Sequence, residues 1–239
     1  LKLLFALFIL SISNAYAIRN GLEENKNVHH VHITLPTGIC SGVRISTDFV
    51  LSVGHCFNNT SDTAFLSFYE DSELVTQTVP VKDIIIKGKD LSEELAIIPI
   101  RSTNTNYIGP KISLKKRFRT RDIFKASGYG LKLDGTYGKL NKGYLNFEAY
   151  YRPLGRVNML IMVPSSRDQL PCAGDSGGAL FSVKNNELVG LASFINHTFT
   201  SMKGMTALEK CSAANTAYYI QLNQHLPFLS RYLDTTNRP

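Results

Sequence analysis

Within the 239 residues, one stretch carries residue types in an order that acyl transfer needs: Pro171-Cys172-Ala173-Gly174-Asp175-Ser176-Gly177-Gly178-Ala179-Leu180. Glycines on both sides of Ser176 let the backbone turn sharply and let a substrate approach the main chain. The N–H groups of Gly174 and Ser176 can then converge on one point, which is what a developing oxyanion requires. A serine hydroxyl is a weak nucleophile alone, so the chemistry demands a histidine and a carboxylate from elsewhere in the chain. Both residue types are present.

Gly174-Asp175-Ser176-Gly177-Gly178 resembles the nucleophile motif of the chymotrypsin-like (trypsin-fold) serine proteases. Val50-Leu51-Ser52-Val53-Gly54-His55-Cys56 is similar to that family's histidine motif, VLTAAHC, and Glu94-Leu95-Ala96-Ile97-Ile98 stands where the family has its acid-bearing DIAL segment. The order His, acid, Ser is the family's, with spacings of 39 and then 82 residues. Ala126-Ser127-Gly128-Tyr129-Gly130 resembles VTGWG, and Val189-Gly190-Leu191-Ala192-Ser193-Phe194 resembles VGIVSW. The resemblance implies a serine endopeptidase with Ser176 as nucleophile, His55 as general base and Glu94 as the acid. Glu94 replaces the family's Asp and adds one methylene, so it must meet the imidazole from about 1.5 Å further out. The oxyanion hole falls on Gly174 and Ser176. The specificity pocket falls on Leu170, Ser193, Phe194, Ile195 and Thr216. Leu170 stands where Arg- and Lys-cleaving members carry Asp, so a buried cationic side chain of the substrate would lack a partner. Ile195 and Thr216 stand where open-pocketed members carry Gly and narrow the pocket, so the resemblance implies cleavage after small or medium apolar residues. Glu94, Ser41 in place of a motif Gly and the narrowed pocket motivate an alternative, a catalytically impaired homologue that binds a partner.

These residues need a scaffold of many short strands. Val31, Ile33 and Leu35 alternate with His30, His32 and Thr34 at period two, and β-branched and aromatic runs separated by turns recur down the chain. Only the C-terminal segment reads as a helix, with Leu222, Leu226, Leu229 and Leu233 at helical spacing. The pattern is all-β and two-barrelled, and the resemblance implies two antiparallel six-stranded β-barrels, with the active site in the cleft between them and a C-terminal helix. The expected limits are 28–108 for the first barrel, 122–221 for the second and 222–234 for the helix, within a protease domain of 18–239.

Composition fits one compact unit, 44% hydrophobic and 19% charged. The net charge of +7 invites a polyanion partner, but the densest basic run, 115–121, falls in the connection between the barrels and reads as a solvated linker. No nucleic-acid partner is expected. The cluster His29-His30-Val31-His32 invites a metal, since His30 and His32 share a strand face, yet no third ligand is in reach, so this reads as a polar strand face and no metal or cofactor is expected. Residues 1–17 read as an export signal, with Lys2, an apolar stretch from Leu3 to Ile12 and an A-x-A site at Ala15-Tyr16-Ala17. No later run reaches membrane-spanning length, so a secreted monomer acting on protein or peptide substrates is expected, with a protein inhibitor as a further partner. Export permits disulfides. Four cysteines allow three connectivities, and the resemblance selects Cys40–Cys56 and Cys172–Cys211. Asn58, Asn59 and Asn196 open glycosylation sequons. Cleavage after Ala17 would expose Ile18-Arg19-Asn20-Gly21, which resembles the family's IVGG-type start, whose α-ammonium pairs with the acid before the nucleophile, here Asp175.

Overall fold

A computed structural model describes residues 18–24, 27–58, 63–88, 90–132, 135–152, 158–165, 169–196 and 204–234. The export segment 1–17 and the sequon residue Asn59 lie outside the described residues.

Among the described residues, fourteen strands form two antiparallel sheets. The first contains β2 (His30–Leu35), β3 (Gly38–Arg44), β4 (Phe49–Val53), β5 (Thr63–Glu70), β6 (Glu73–Pro80), β7 (Ile85–Lys87) and β8 (Leu95–Pro99). Its order is β6-β5-β2-β3-β4-β8-β7. The second contains β1 (Leu22–Glu23), β9 (Ile123–Gly128), β10 (Asn141–Tyr151), β11 (Met159–Pro164), β12 (Ala179–Ser182), β13 (Leu188–Asn196) and β14 (Thr216–Gln221). Here β9 pairs with β10 as well as β12, which closes six strands into a barrel with β1 added outside β10. The fold class is thus the expected mostly-β one, with one difference. The first sheet curls but leaves β6 and β7 as edges, because a 3-10 turn at Val81–Asp83 breaks the run between them.

Alternation explains the strands. In β2, Val31, Ile33 and Leu35 are buried in the first core, as a half-buried strand requires. His30 is buried as well, because the second barrel covers that end of β2, and its Nε2 lies 2.5 Å from the Ser127 hydroxyl. Burial, with Lys125 nearby, lowers the His30 pKa to about 3. The core around Leu51, Ile97 and Phe68 continues into Ile220, Leu222 and Leu229 of the C-terminal half, so the two sheets share apolar packing.

The C-terminal segment is helical in two short pieces, a 3-10 turn at Leu222–His225 and α2 at Leu226–Leu229. Pro227 has no N–H to return to the preceding turn, so the α-helical ladder starts afresh there. Leu222, Leu229 and Leu233 still point into the core. A second helix, α1 (Ala207–Ala213), was not expected. It begins with a capping box: Thr206 Oγ1 accepts the Glu209 N–H, and Glu209 Oε2 accepts the Thr206 N–H. The disulfides are Cys40–Cys56 and Cys172–Cys211, the pairing the resemblance implied.

Candidate active site

His55 sits in a 3-10 turn, Gly54–Phe57, that follows β4 directly. Strand register delivers its partner. Val53 pairs with Leu95, so Gly54 and Glu94 meet one step further on, and the Gly54 N–H donates to the Glu94 carbonyl at 3.2 Å. This places Glu94 Oε1 2.5 Å from His55 Nδ1, with the carboxylate side chain only 4% exposed and the imidazole 25% exposed. Gly54 stands where the family motif has Ala. A Cβ at Gly54 would lie 3.0 Å from Glu94 Cβ, 3.3 Å from its Oε2 and 2.9 Å from Ile86 Cγ2. The missing methyl leaves room at Oε2, the one of these contacts that depends on the length of the acid.

Ser176 lies in the tight turn before β12. Gly177 has φ +80°, and a Cβ there would meet the Ser41 carbonyl oxygen at 2.1 Å, so only glycine fits. The turn is held by the Gly177 N–H on the Ala192 carbonyl, the Gly178 N–H on the Asp175 carbonyl and the Ser41 N–H on the Ser176 carbonyl, at 2.7–2.8 Å. The Cys56 sulfur lies 4.0 Å from the Ser176 carbonyl, which brings the nucleophile loop beside the turn that carries His55. The Ser176 hydroxyl makes a long 3.5 Å hydrogen bond to the Ser193 carbonyl, not one to His55.

Asp175 is buried between three backbone donors. Its Oδ1 accepts from Gly130 at 2.8 Å, and its Oδ2 accepts from Cys172 at 2.9 Å and from Ile18 at 3.3 Å. Burial raises its pKa to about 6, and the three N–H groups pull in the opposite direction. Gly128 and Gly130 are required beside it, since a Cβ on either would come within 2.6 Å of its carboxylate. The residue that replaces a motif Gly, Ser41, is nearly fully buried. Its hydroxyl donates to the Gly174 carbonyl and accepts the Tyr129 N–H, both at 2.9 Å, and so braces the nucleophile loop against the 128–130 segment.

A cavity of about 370 Å³ opens beside Ser176. Ala173, Ser193, Phe194 and Ile195 line one side, and α1 contributes Ala207, Lys210 and Cys211 to the other. Phe194 stacks on Tyr218 at 4.3 Å and 12°, which stiffens its wall. Leu170 and Thr216 are not among the residues that line it. Leu170 is fully buried in the second core, and Thr216 bonds through its hydroxyl to the Asn196 carbonyl. Among the described residues, a larger depression of about 730 Å³ lies on the first sheet beside Val75, Gln77 and Arg101, away from Ser176 and His55. Sequence reasoning missed Lys210, Arg19 and the brace made by Ser41. The capping box Thr206-Ala207-Leu208-Glu209 was the available sign of α1.

The family model for trypsin matches residues 18–217. The chain belongs to the trypsin family. It is therefore assigned to the serine-type endopeptidases, a class of hydrolases. Among solved structures, HL collagenase superimposes with a TM-score of 0.66 at 18% identity, over 89% of this chain and 97% of that one, a likeness of fold. No curated protein matches. No helix among the described residues is long and apolar enough to cross a membrane.

Proposed function

We propose that this trypsin-family chain is a secreted endopeptidase that cleaves through Ser176, His55 and Glu94 by an acyl-enzyme route. The observation that carries the reading is the buried Glu94 carboxylate 2.5 Å from His55 Nδ1. With Nδ1–H donated to Glu94, the Nε2 lone pair is free to take the Ser176 proton as Oγ attacks the scissile carbonyl. Oγ–C bond formation puts negative charge on the carbonyl oxygen, which the N–H groups of Gly174 and Ser176 stabilise. Imidazolium then protonates the leaving amine, and water, deprotonated by the same histidine, releases the acid and restores Ser176.

The 370 Å³ cavity has an apolar wall and no acidic residue in its lining, while Lys210 adds a positive charge. Lysine and arginine side chains are disfavoured there, and small or medium apolar ones fit. A peptide-library digest dominated by cuts after Lys or Arg would overturn this specificity. Export and activation are one cut on this reading. Removing residues 1–17 frees the Ile18 ammonium beside Asp175, where its nitrogen already lies 3.3 Å from Oδ2. The expected form is a monomer that takes protein or peptide substrates and is open to a protein inhibitor.

A fluorophosphonate probe tests the chemistry directly. It should label Ser176 in the purified protein, and Ser176→Ala should abolish labelling. A folded protein with Ile18 at its N-terminus and no label at Ser176 would favour the alternative, a binding protein on the same fold.

A further inference from the structure

Arg19 follows Ile18, where the IVGG-type start has Val. It is 4% exposed, although a guanidinium is costly to bury unless its donors find acceptors. Its backbone N–H bonds to the Leu170 carbonyl at 2.7 Å, an isolated bridge that stitches the N-terminal segment to the stretch before the nucleophile loop. Its Nη1 donates to the carbonyls of Cys211 at 2.6 Å and Ser212 at 2.7 Å. Those acceptors lie at the end of α1. A helix leaves its last four carbonyls without helical partners, and in α1 the Lys210 carbonyl is taken by the Ala214 N–H. Arg19 takes the next two, and its positive charge lies at the negative end of the helix dipole.

The same helix walls the cavity beside Ser176. Ala207, Lys210 and Cys211 line it, and Cys211 is also bonded to Cys172 in the nucleophile loop. We infer that Arg19 is a positioning residue for the specificity pocket: it clamps the C-terminal end of α1 and fixes the wall that a substrate side chain meets. The segment that seats Ile18 at Asp175 therefore also delivers the clamp for α1. In a chain whose N-terminal segment is not seated, the Cys211 and Ser212 carbonyls lose this donor and the wall loosens. A valine in place of Arg19 has no side-chain donor and cannot do this. The inference rests on the proposed reading of Ser176 and its cavity, and its test separates the two.

The test uses the purified protein with Arg19→Gln, which removes the charge, and Arg19→Lys, which keeps it. Fluorophosphonate labelling of Ser176 reports the nucleophile, and a peptide series with Gly, Ala, Val or Leu before the scissile bond reports the pocket. Hydrogen exchange of residues 207–213 reports the helix. Arg19→Gln should label like the parent, raise KM about tenfold for the preferred side chain with kcat within about twofold, and leave the Gly substrate unchanged. Amides of α1 should exchange faster, and Arg19→Lys should recover most of both effects. Unchanged KM across the series, or an equal rise for Gly and for larger side chains, would overturn the inference. If the parent protein itself does not label, the catalytic reading fails, and α1 exchange decides the clamp: equal exchange in parent and Arg19→Gln refutes it. Should Arg19→Gln not fold, Arg19→Lys identical to the parent in KM and α1 exchange refutes it.

Discussion

The contact between Gly54 and Glu94 can be tested by exchanging both residues for the family's own pair. Gly54→Ala inserts a methyl 3.0 Å from Glu94 Cβ, 3.3 Å from Glu94 Oε2 and 2.9 Å from Ile86 Cγ2, all closer than the usual 3.5–4.0 Å for carbon contacts. The backbone has little room to retreat, because the Gly54 N–H is bonded to the Glu94 carbonyl at 3.2 Å. Overpacking of this kind costs about 1–3 kcal/mol. If that cost falls on the His55–Glu94 geometry, kcat drops by about 5- to 150-fold. Glu94→Asp errs the other way. Withdrawing the carboxylate by about one carbon–carbon bond opens the 2.5 Å contact to about 4 Å, too far for a hydrogen bond. Its kcat should fall by about 10- to 1,000-fold, short of the ~10,000-fold known for removing the charge of such an acid. In the double variant the contact with Oε2 is gone, so Gly54→Ala with Glu94→Asp should run faster than either single variant once Ile86 Cγ2 and the Cβ of residue 94, which the shorter acid leaves in place, give by a few tenths of an ångström. That is a coupling of at least about 1 kcal/mol between the two sites. The assay is kcat and kcat/KM on a chromogenic peptide, with active enzyme counted by fluorophosphonate titration. A double variant no better than the worse single one would mean that Gly54 was never accommodating the longer acid.

Three further outcomes can be measured. With the peptide N–H of Ile18 as donor, Asp175 has its pKa raised to about 6, so ionising it costs the folded chain stability as pH rises from the ordinary carboxylate range to about 6. An Ile18 ammonium reverses the sign, so the melting temperature of a chain starting at Ile18 should exceed that of an N-terminally extended chain, with a gap that widens from pH 4 to 7; a constant gap refutes the pairing. Ser41→Ala should lower kcat by about 5- to 30-fold with KM little changed, because the hydroxyl that joins the Gly174 carbonyl to the Tyr129 N–H is lost, and unaltered kcat would remove Ser41 from the oxyanion loop's support. Arg44 and Glu70, a buried pair at 3.0 Å, fasten the segment 102–107 to the first sheet through Ser102, Thr103 and Tyr107. Arg44→Met leaves a buried carboxylate without its cation and should cost about 3–5 kcal/mol in chemical denaturation, and a loss below about 1 kcal/mol would show the pair to be dispensable.

The residues proposed to carry the chemistry could be picked out because their constraints are local. A nucleophile turn needs glycines at fixed positions, and the ladder between β4 and β8 then delivers Glu94 to His55. What was missed depends on long-range packing. The position of Leu170 in the chain could be read, but its depth could not, since its burial follows from the second core and the bridge to Arg19. Helix α1 lacks an apolar stripe, and its only buried residue is Cys211, so hydrophobic periodicity gave no sign of it. The helical spacing of the C-terminal leucines was real, yet Pro227 divides the segment, a local effect that the spacing overrode in the reading. His30 read as part of a polar strand face, because its cover comes from β9, nearly one hundred residues away in sequence.

The two sheets differ in how they end, and the halves of the site inherit that difference. Among the described residues the barrel that leads into Ser176 and forms one wall of its cavity closes on itself, with only the two-residue β1 added outside it, whereas the sheet bearing His55 and Glu94 ends at β6 and the three-residue β7. Hydrogen-bonded edges fray first, and β7 borders the very strand, β8, that begins beside Glu94. Under gentle heating or denaturant the His55–Glu94 contact should thus come apart before the cavity beside Ser176, which on the proposed reading stops proton transfer while recognition persists. A product-like peptide would still be held after turnover has ceased, so a warmed sample would act as a trap for its own substrates.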